Sequence, residues 1–68
     1  MLKQATLKDF NNIAYNATIQ ISGSAQSYLE GVAVAQNIPA AEMIPGRNLA
    51  VLFFDRYQAA EAVIITVW

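Results

Sequence analysis

The chain has 68 residues, of which 56% are hydrophobic and 13% charged, and its formal net charge is −1. It contains no cysteine and no histidine, which excludes disulfides, thiolate metal sites and the most common general base. We expect a single domain over residues 1–68, and a domain of this size buries only about 60% of the surface of its unfolded chain. Because small domains usually gain stability from disulfides, metals or oligomers, the composition favours self-association.

The first two predicted strands form a hairpin. Residues 5–10 fit a strand, and Asn11-Asn12 is a favourable turn because asparagine tolerates left-handed backbone angles. Residues 13–21 then alternate between two faces, which is typical of a half-buried strand. The apolar face consists of Ile13, Tyr15, Ala17, Ile19 and Ile21.

The middle of the chain predicts a loop, a strand and a helical turn. Residues 22–27 have the composition of a loop, and residues 28–35 fit a third strand. Gly31 lies inside that strand and indicates a bulge or a sharp bend. Residues 37–43 fit one helical turn with Pro39 at its first position.

Two apolar strands dominate the last twenty residues. The turn Pro45-Gly46 leads into a strand over residues 49–54, and a second run covers residues 62–68. Neither run alternates, which indicates that both faces are buried. One small domain has a single core, so we expect the second face to meet a partner surface, most simply another copy of the chain. The segment 55–61 fits either a plain loop or a short helix.

This order of elements predicts an all-β fold: a five-stranded small barrel, OB-like, with one short helical turn between strands three and four. The longest apolar run near the carboxyl terminus is far shorter than the roughly 20 residues of a spanning helix, so no membrane span is expected. The amino terminus lacks the apolar stretch of a signal peptide. We therefore expect a protein that is cytoplasmic when made.

Three segments resemble the OB-like barrel of phage tail and baseplate proteins: residues 31–34 (GVAV), 45–53 (PGRNLAVLF) and 62–65 (AVII). The second is similar to the turn through which those barrels enter strand four, and the third to their closing apolar strand. The resemblance implies a structural part of a ring, tube or shell, incorporated into a virion or related particle. It brings no catalytic or binding residues with it.

Candidates for catalysis are sparse, and no catalytic, cofactor-binding or metal-binding residue is assigned. The carboxylates fall at predicted turns, strand edges or a helix start, where solvated or capping carboxylates are ordinary: Asp9, Glu30, Glu42, Asp55 and Glu61. Asp55 and Glu61 flank one loop, but two carboxylates are fewer than a calcium site uses. An enzyme is the least favoured interpretation, because no histidine is present to activate a hydroxyl nucleophile.

Two binding functions remain as alternatives. An OB-like barrel that binds nucleic acid stacks bases on aromatic side chains, here Tyr15, Tyr28, Phe53, Phe54, Tyr57 and Trp68. The basic residues that would contact phosphates are Lys3, Lys8, Arg47 and Arg56. They are scattered and outnumbered by five acidic residues, so we expect no nucleic-acid partner. The other alternative is a small-ligand or carbohydrate-binding module with Trp68, Tyr57 and Tyr28 as its platform.

The preferred interpretation is a structural protein that forms a homo-oligomer, or binds a larger structural protein, through apolar strand surfaces. The predicted interface comprises Ala50, Leu52, Phe54, Arg56, Tyr57, Ile64 and Trp68. In this assignment the core face of strand five holds Val63, Ile65 and Val67. Ile64 and Trp68 then lie on its outer face.

Overall fold

A computed structural model describes residues 1–23, 28–54 and 59–68. Within these ranges five strands close into a barrel in the order β1-β2-β3-β5-β4, with β4 paired back onto β1. The strands are β1 Leu2–Asn11, β2 Asn16–Ile21, β3 Tyr28–Val34, β4 Asn48–Phe53 and β5 Ala62–Val67. Two short 3-10 turns are η1, Ala40–Glu42, and η2, Ala59–Glu61. The all-β class, the five-stranded barrel and the helical turn between strands three and four are therefore confirmed.

The barrel closes through one parallel contact. Neighbouring strands are antiparallel except for β3 and β5. These two run parallel and pair at two positions, Ala33 with Val63 and Val34 with Ile64. Just beyond these pairs, the backbone N–H of Ala35 donates to the carbonyl of Ile64 at 3.0 Å. The turn η2 also packs against β3, so this short seam is supported from both ends.

The core is formed by apolar side chains from every strand. Among the described residues, no polar or charged side chain is buried. The largest fully buried side chains are Phe53, Leu7, Ile19, Leu49, Ile64, Val32 and Val51. Ile38 and Met43, from the segment between β3 and β4, are buried with them. Since fully burying such a side chain contributes about 1.5–3 kcal/mol, this apolar interior is the main source of stability.

Glycines produce two of the predicted irregularities. Val32 lies opposite Ala17, but Leu29 lies opposite Ile19, so β3 holds one residue more than β2 over the same distance. Gly31 lies in this bulge with a φ of 70°, a conformation that costs side-chain-bearing residues free energy. The predicted turn before β4 is also present, and there Gly46 has a φ of 97°.

The start of the helical turn differs from the prediction. Pro39 has a φ of −63° and a ψ of 140°, so it is extended and precedes η1 as its N-cap. Its ring fixes φ near the helical value but leaves ψ free. Pro39 therefore separates the turn at residues 36–37 from η1, and the first helical position belongs to Ala40.

Candidate interaction surface

The outward faces of β1, β4 and β5 share an apolar row. Leu2 in β1 lies opposite Leu52 in β4, which in turn lies opposite Val63 in β5. Side chains directly opposite each other have Cβ atoms about 4.5–5.5 Å apart, so these three side chains are neighbours on the outside of the barrel. Leu2 is 60% exposed, and Leu52 and Val63 are half-buried.

Two exposed aromatic residues extend this surface. Phe54 directly follows β4 and is 70% exposed, while its backbone N–H donates to the carbonyl of Glu61 at 2.7 Å. Trp68 follows β5 and is 56% exposed, and its backbone pairs in both directions with Asn48, at 2.9 and 3.2 Å. The backbone of each aromatic residue is thus anchored. We call the whole surface the outer wall; it consists of Leu2, Ala50, Leu52, Phe54, Val63, Ile65 and Trp68.

A bulge in β5 overturns part of the predicted interface. Val51 lies opposite Ile64, but its neighbour Ala50 lies opposite Thr66, so Ile65 is an extra residue in β5. Ile64 has no exposed surface, and its assignment to the interface is wrong. Ile65, predicted to face the core, is 40% exposed. The extra residue changes which face each side chain occupies, and strict alternation does not anticipate such a change.

The other predicted interface residues divide into two groups. Ala50, Leu52, Phe54 and Trp68 lie on the exterior, on β4 or just past the end of β4 or β5. Arg56 and Tyr57 lie outside the described residues. The sequence analysis missed three members of the outer wall: Leu2, Val63 and Ile65. Leu2 preceded the predicted first strand, and the other two were assigned to the wrong face of β5.

Charged groups are absent from the strands that contribute most of the outer wall. β4 reads NLAVLF and β5 reads AVIITV. Just before β4, Arg47 Nη1 lies 2.7 Å from Glu42 Oε1 and also donates to the Glu42 carbonyl at 3.3 Å. This pair ties the start of β4 to η1. The outer wall therefore offers apolar burial and little electrostatic selection.

A second exposed apolar feature lies in the turn between β1 and β2, where Ile13 is 94% exposed. The prediction that Ile13 lies on the buried face of a strand is wrong, because the strand begins only at Asn16. The side-chain oxygen of Asn11 accepts hydrogen bonds from the N–H groups of Ile13, at 2.9 Å, and Ala14, at 3.2 Å. A side chain that binds nearby N–H groups in this way competes with strand pairing and favours a turn.

The residues considered for base stacking have different environments. Phe53 is only 1% exposed and belongs to the core, so it cannot act as a stacking surface. The Tyr15 hydroxyl donates to the carbonyl of Ile38, and its ring meets Phe10 edge-on with centroids 5.2 Å apart. Tyr15 therefore has a structural role. Tyr28, like Phe54 and Trp68, is exposed, whereas Tyr57 is outside the described ranges.

The acidic residues do not form a cluster in the part of the chain that the structure describes. Asp9, Glu30, Glu42 and Glu61 are exposed, and no group of three or more potential metal ligands is found among the described residues. Asp55, which flanks the same loop as Glu61, lies in the segment 55–58, outside those residues. Nor do the described residues include a helix long and apolar enough to cross a membrane.

Comparison of the chain with protein-family models, with curated proteins and with solved structures finds no match. The resemblance to phage barrels therefore remains a prediction. The functional interpretation depends on the outer wall and on the turn that carries Ile13, the most exposed large hydrophobic side chain among the described residues.

Proposed function

We propose that this chain is a structural protein that self-associates through the outer wall, as a component of a phage tail, baseplate or related particle. The observation that supports this function is the exposure of Leu2 and Phe54 beside the row formed by Leu52 and Val63, with Trp68 exposed further along the same side of the barrel, where it pairs with Asn48. Contiguous apolar patches on the surface of a protein mark interaction sites. A larger structural protein is the alternative occupant of the same surface.

An OB-like barrel is part of this proposal. Its support is the strand order β1-β2-β3-β5-β4, the parallel contact between β3 and β5, and the position of η1 between β3 and β4. Barrels of this type use their outer faces and loops for binding. The assignment agrees with a role in which the strands carry the contact and the interior serves only stability.

The size of the chain favours a second copy as the occupant. A standard interface buries about 800 Å² on each partner, roughly a fifth of the 4113 Å² that this chain exposes. An interface on this scale needs parts of several strands, which the outer wall provides. Because β4 and β5 carry no charged residue, covering them does not require the desolvation of charged side chains on those strands, which is a large cost in other interfaces.

Light scattering with mass determination tests the proposal. We expect the mass of the purified protein in solution to be a multiple of the 7.4 kDa of one chain. Leu52→Lys inserts a charge into the centre of the apolar row, and we expect it to shift the mass to that of the monomer. Thr18→Lys is the matched control, since it adds the same charge on β2, which pairs with neither β4 nor β5, and it should keep the wild-type mass.

Two results would contradict self-association: a wild-type chain that is monomeric at every concentration, or a multimer that Leu52→Lys leaves unchanged. The role in a particle has a separate test. Negative-stain electron microscopy of the concentrated protein should show rings, tubes or sheets. A dimer as the largest species would contradict that role and leave self-association intact.

A further inference from the structure

We propose that the turn between β1 and β2 of one copy places Ile13 against the outer wall of the next copy, so that the chains assemble head to tail. This inference rests on the proposed function, because it names the surface of one copy that packs against the outer wall of another. We call residues 12–15 the Ile13 turn. Its support comes from the construction of that turn, its chemistry and its position relative to the outer wall.

The Ile13 turn is held in one conformation by its own residues. One side-chain oxygen of Asn11 accepts both the Ile13 N–H at 2.9 Å and the Ala14 N–H at 3.2 Å. This arrangement is an Asx turn, in which a side chain replaces a backbone acceptor. Two consecutive N–H groups are satisfied on either side of the Ile13 Cα atom, so the backbone that carries this side chain is restrained before any partner binds.

Tyr15 adds an unusual backbone conformation. Its φ is 54°, which is uncommon for a bulky residue that is not glycine. Three contacts hold it there: the hydroxyl donates to the Ile38 carbonyl, the ring packs edge-on against Phe10, and the Tyr15 carbonyl accepts from the Val34 N–H at 3.1 Å. Backbone conformations that surrounding contacts impose in this way concentrate at functional sites. Here the strained residue lies two positions after the exposed Ile13.

The chemistry of the Ile13 turn matches that of the outer wall. Its sequence is Asn-Ile-Ala-Tyr and carries no charge, and Ile13 is 94% exposed. The residues that define the outer wall are apolar, with Gln4 and Thr66 on either side of Ala50, and its strands β4 and β5 are uncharged. A contact of the turn with β4 and β5 therefore buries apolar surface without isolating a charged side chain of those strands. A rigid turn also loses little conformational entropy when it binds, which favours affinity.

The positions of the two features favour a contact between the Ile13 turn and an outer wall over a two-fold contact between two outer walls. The row Leu2–Leu52–Val63 crosses the start of β1, whereas the Ile13 turn follows its end at Asn11. A two-fold contact between two outer walls would leave Ile13 in water. A contact between the turn of one copy and the outer wall of the next covers both features. Repetition of that contact produces a ring if the rotation between successive copies closes, and a filament if it does not.

A lipid surface is a less favourable partner for the Ile13 turn. Anionic membranes attract segments that combine several apolar residues with a basic face. Near this turn the exposed charges on β1 are Lys8 and Asp9, which are of opposite sign. One aliphatic side chain with no net positive charge suits an apolar protein surface better than a bilayer.

A mixing experiment distinguishes the two kinds of contact. Ile13→Ser removes the apolar side chain of the turn and keeps the outer wall, whereas Leu52→Lys damages the outer wall and keeps the turn. We expect each variant alone to be monomeric in light scattering. Mixed in equal amounts they should form a dimer of one copy of each, because one intact turn and one intact outer wall remain to pair. The dimer should not grow, since its free ends carry the damaged surfaces.

Controls separate loss of the contact from loss of the fold. Far-UV circular dichroism and thermal unfolding should show that each variant is folded, and Leu2→Lys replaces Leu52→Lys if the latter is not. Asn12→Ser changes the same turn without removing its apolar side chain and should retain the wild-type mass.

Three outcomes would overturn the inference. If Ile13→Ser assembles like the wild type, or if the mixed variants form no complex, the head-to-tail contact is wrong while self-association through the outer wall stands. If the wild-type chain is itself monomeric, the proposed function fails and the inference fails with it.

Discussion

Ile64 and Ile65 are consecutive residues of β5 with opposite environments: Ile64 is fully buried, and Ile65 is 40% exposed. The cross-strand partner of Ile64 is Val51, which is also fully buried, whereas Ile65 is the extra residue of the bulge. After the bulge, Val67 packs against the core again. A single strand thus contributes both to the interior and to the outer wall.

This difference predicts unequal effects of the same substitution at neighbouring positions. Ile64→Val should lower the free energy of unfolding by about 0.5–1.5 kcal/mol, because the lost methylene leaves a cavity in a packed core. Ile65→Val is the matched control and should change it by no more than about 0.5 kcal/mol. Urea denaturation of both variants in the Leu52→Lys background, which we expect to be monomeric, measures the difference, because Ile65 belongs to the outer wall and association also contributes to stability. Equal losses at the two positions would contradict the assigned bulge.

Trp68 is the only tryptophan in the chain and therefore reports on its own environment. If it lies in the contact between copies, its fluorescence maximum should shift to shorter wavelength as the concentration rises. Trp68→Ala should weaken association by about 1.5–3 kcal/mol, the value for burial of a large side chain, or roughly 10- to 100-fold in Kd. Tyr28→Ala, at an exposed position on β3, is the control. An unchanged mass profile for Trp68→Ala would remove this residue from the interface.

At Gly31 the effect of backbone conformation on stability can be measured separately from the effect of steric clashes. The φ of Gly31 is 70°, and a Cβ atom built there meets no other atom within 4 Å. Gly31→Ala should therefore cost about 1–2 kcal/mol of stability, the cost of a left-handed conformation for a residue with a side chain. Gly31→Asn should cost less, because asparagine tolerates this region. A greater loss with asparagine than with alanine in chemical denaturation would show that space, and not φ, decides the effect.

The architecture was predictable because local sequence features determine it. Gly31 and the pair Pro45-Gly46 mark backbone positions that few other residues adopt, and the apolar runs between such markers have the length of strands. The number of strands and the helical turn before β4 follow from these markers. The pairing of β1 with both β2 and β4 depends on contacts between distant parts of the chain. It could be expected from the predicted order of elements only by applying the general rules for small barrels.

The exposed apolar residues were harder to predict because regular alternation fails at two places, the start of β2 and the bulge in β5. The alternation of residues 13–21 indicated a strand from Ile13, but the Asn11 side chain and the tertiary contacts of Tyr15 convert its start into a turn. In β5 the bulge at Ile65 changes the face of each side chain, and an uninterrupted apolar run contains no feature that marks its position. Ile13, Val63 and Ile65 were thus misassigned where regular alternation fails. Alternation along β4, in contrast, placed Ala50 and Leu52 on the outer face, as the structure does.

The hydroxyl of Tyr15 connects the Ile13 turn to the segment that closes the core. It donates to the carbonyl of Ile38, which is buried together with Met43. Tyr15→Phe removes this donor and leaves the edge contact with Phe10 in place, so we expect a loss of about 0.5–1.5 kcal/mol in the free energy of unfolding. Tyr28→Phe is the control and should be close to neutral, because its side chain is exposed.

The same Tyr15→Phe substitution should also increase local motion. The N–H of Ile38 donates to the Ala35 carbonyl, and that of Met43 to the Ala40 carbonyl, both within the segment that Tyr15 anchors. Hydrogen exchange of these two amides should accelerate in Tyr15→Phe more than exchange in the centre of β4, because local opening needs less free energy than global unfolding. Uniform acceleration at all sites would mean that the hydroxyl supports the whole barrel, and unchanged exchange would mean that the bond to Ile38 contributes nothing to this segment.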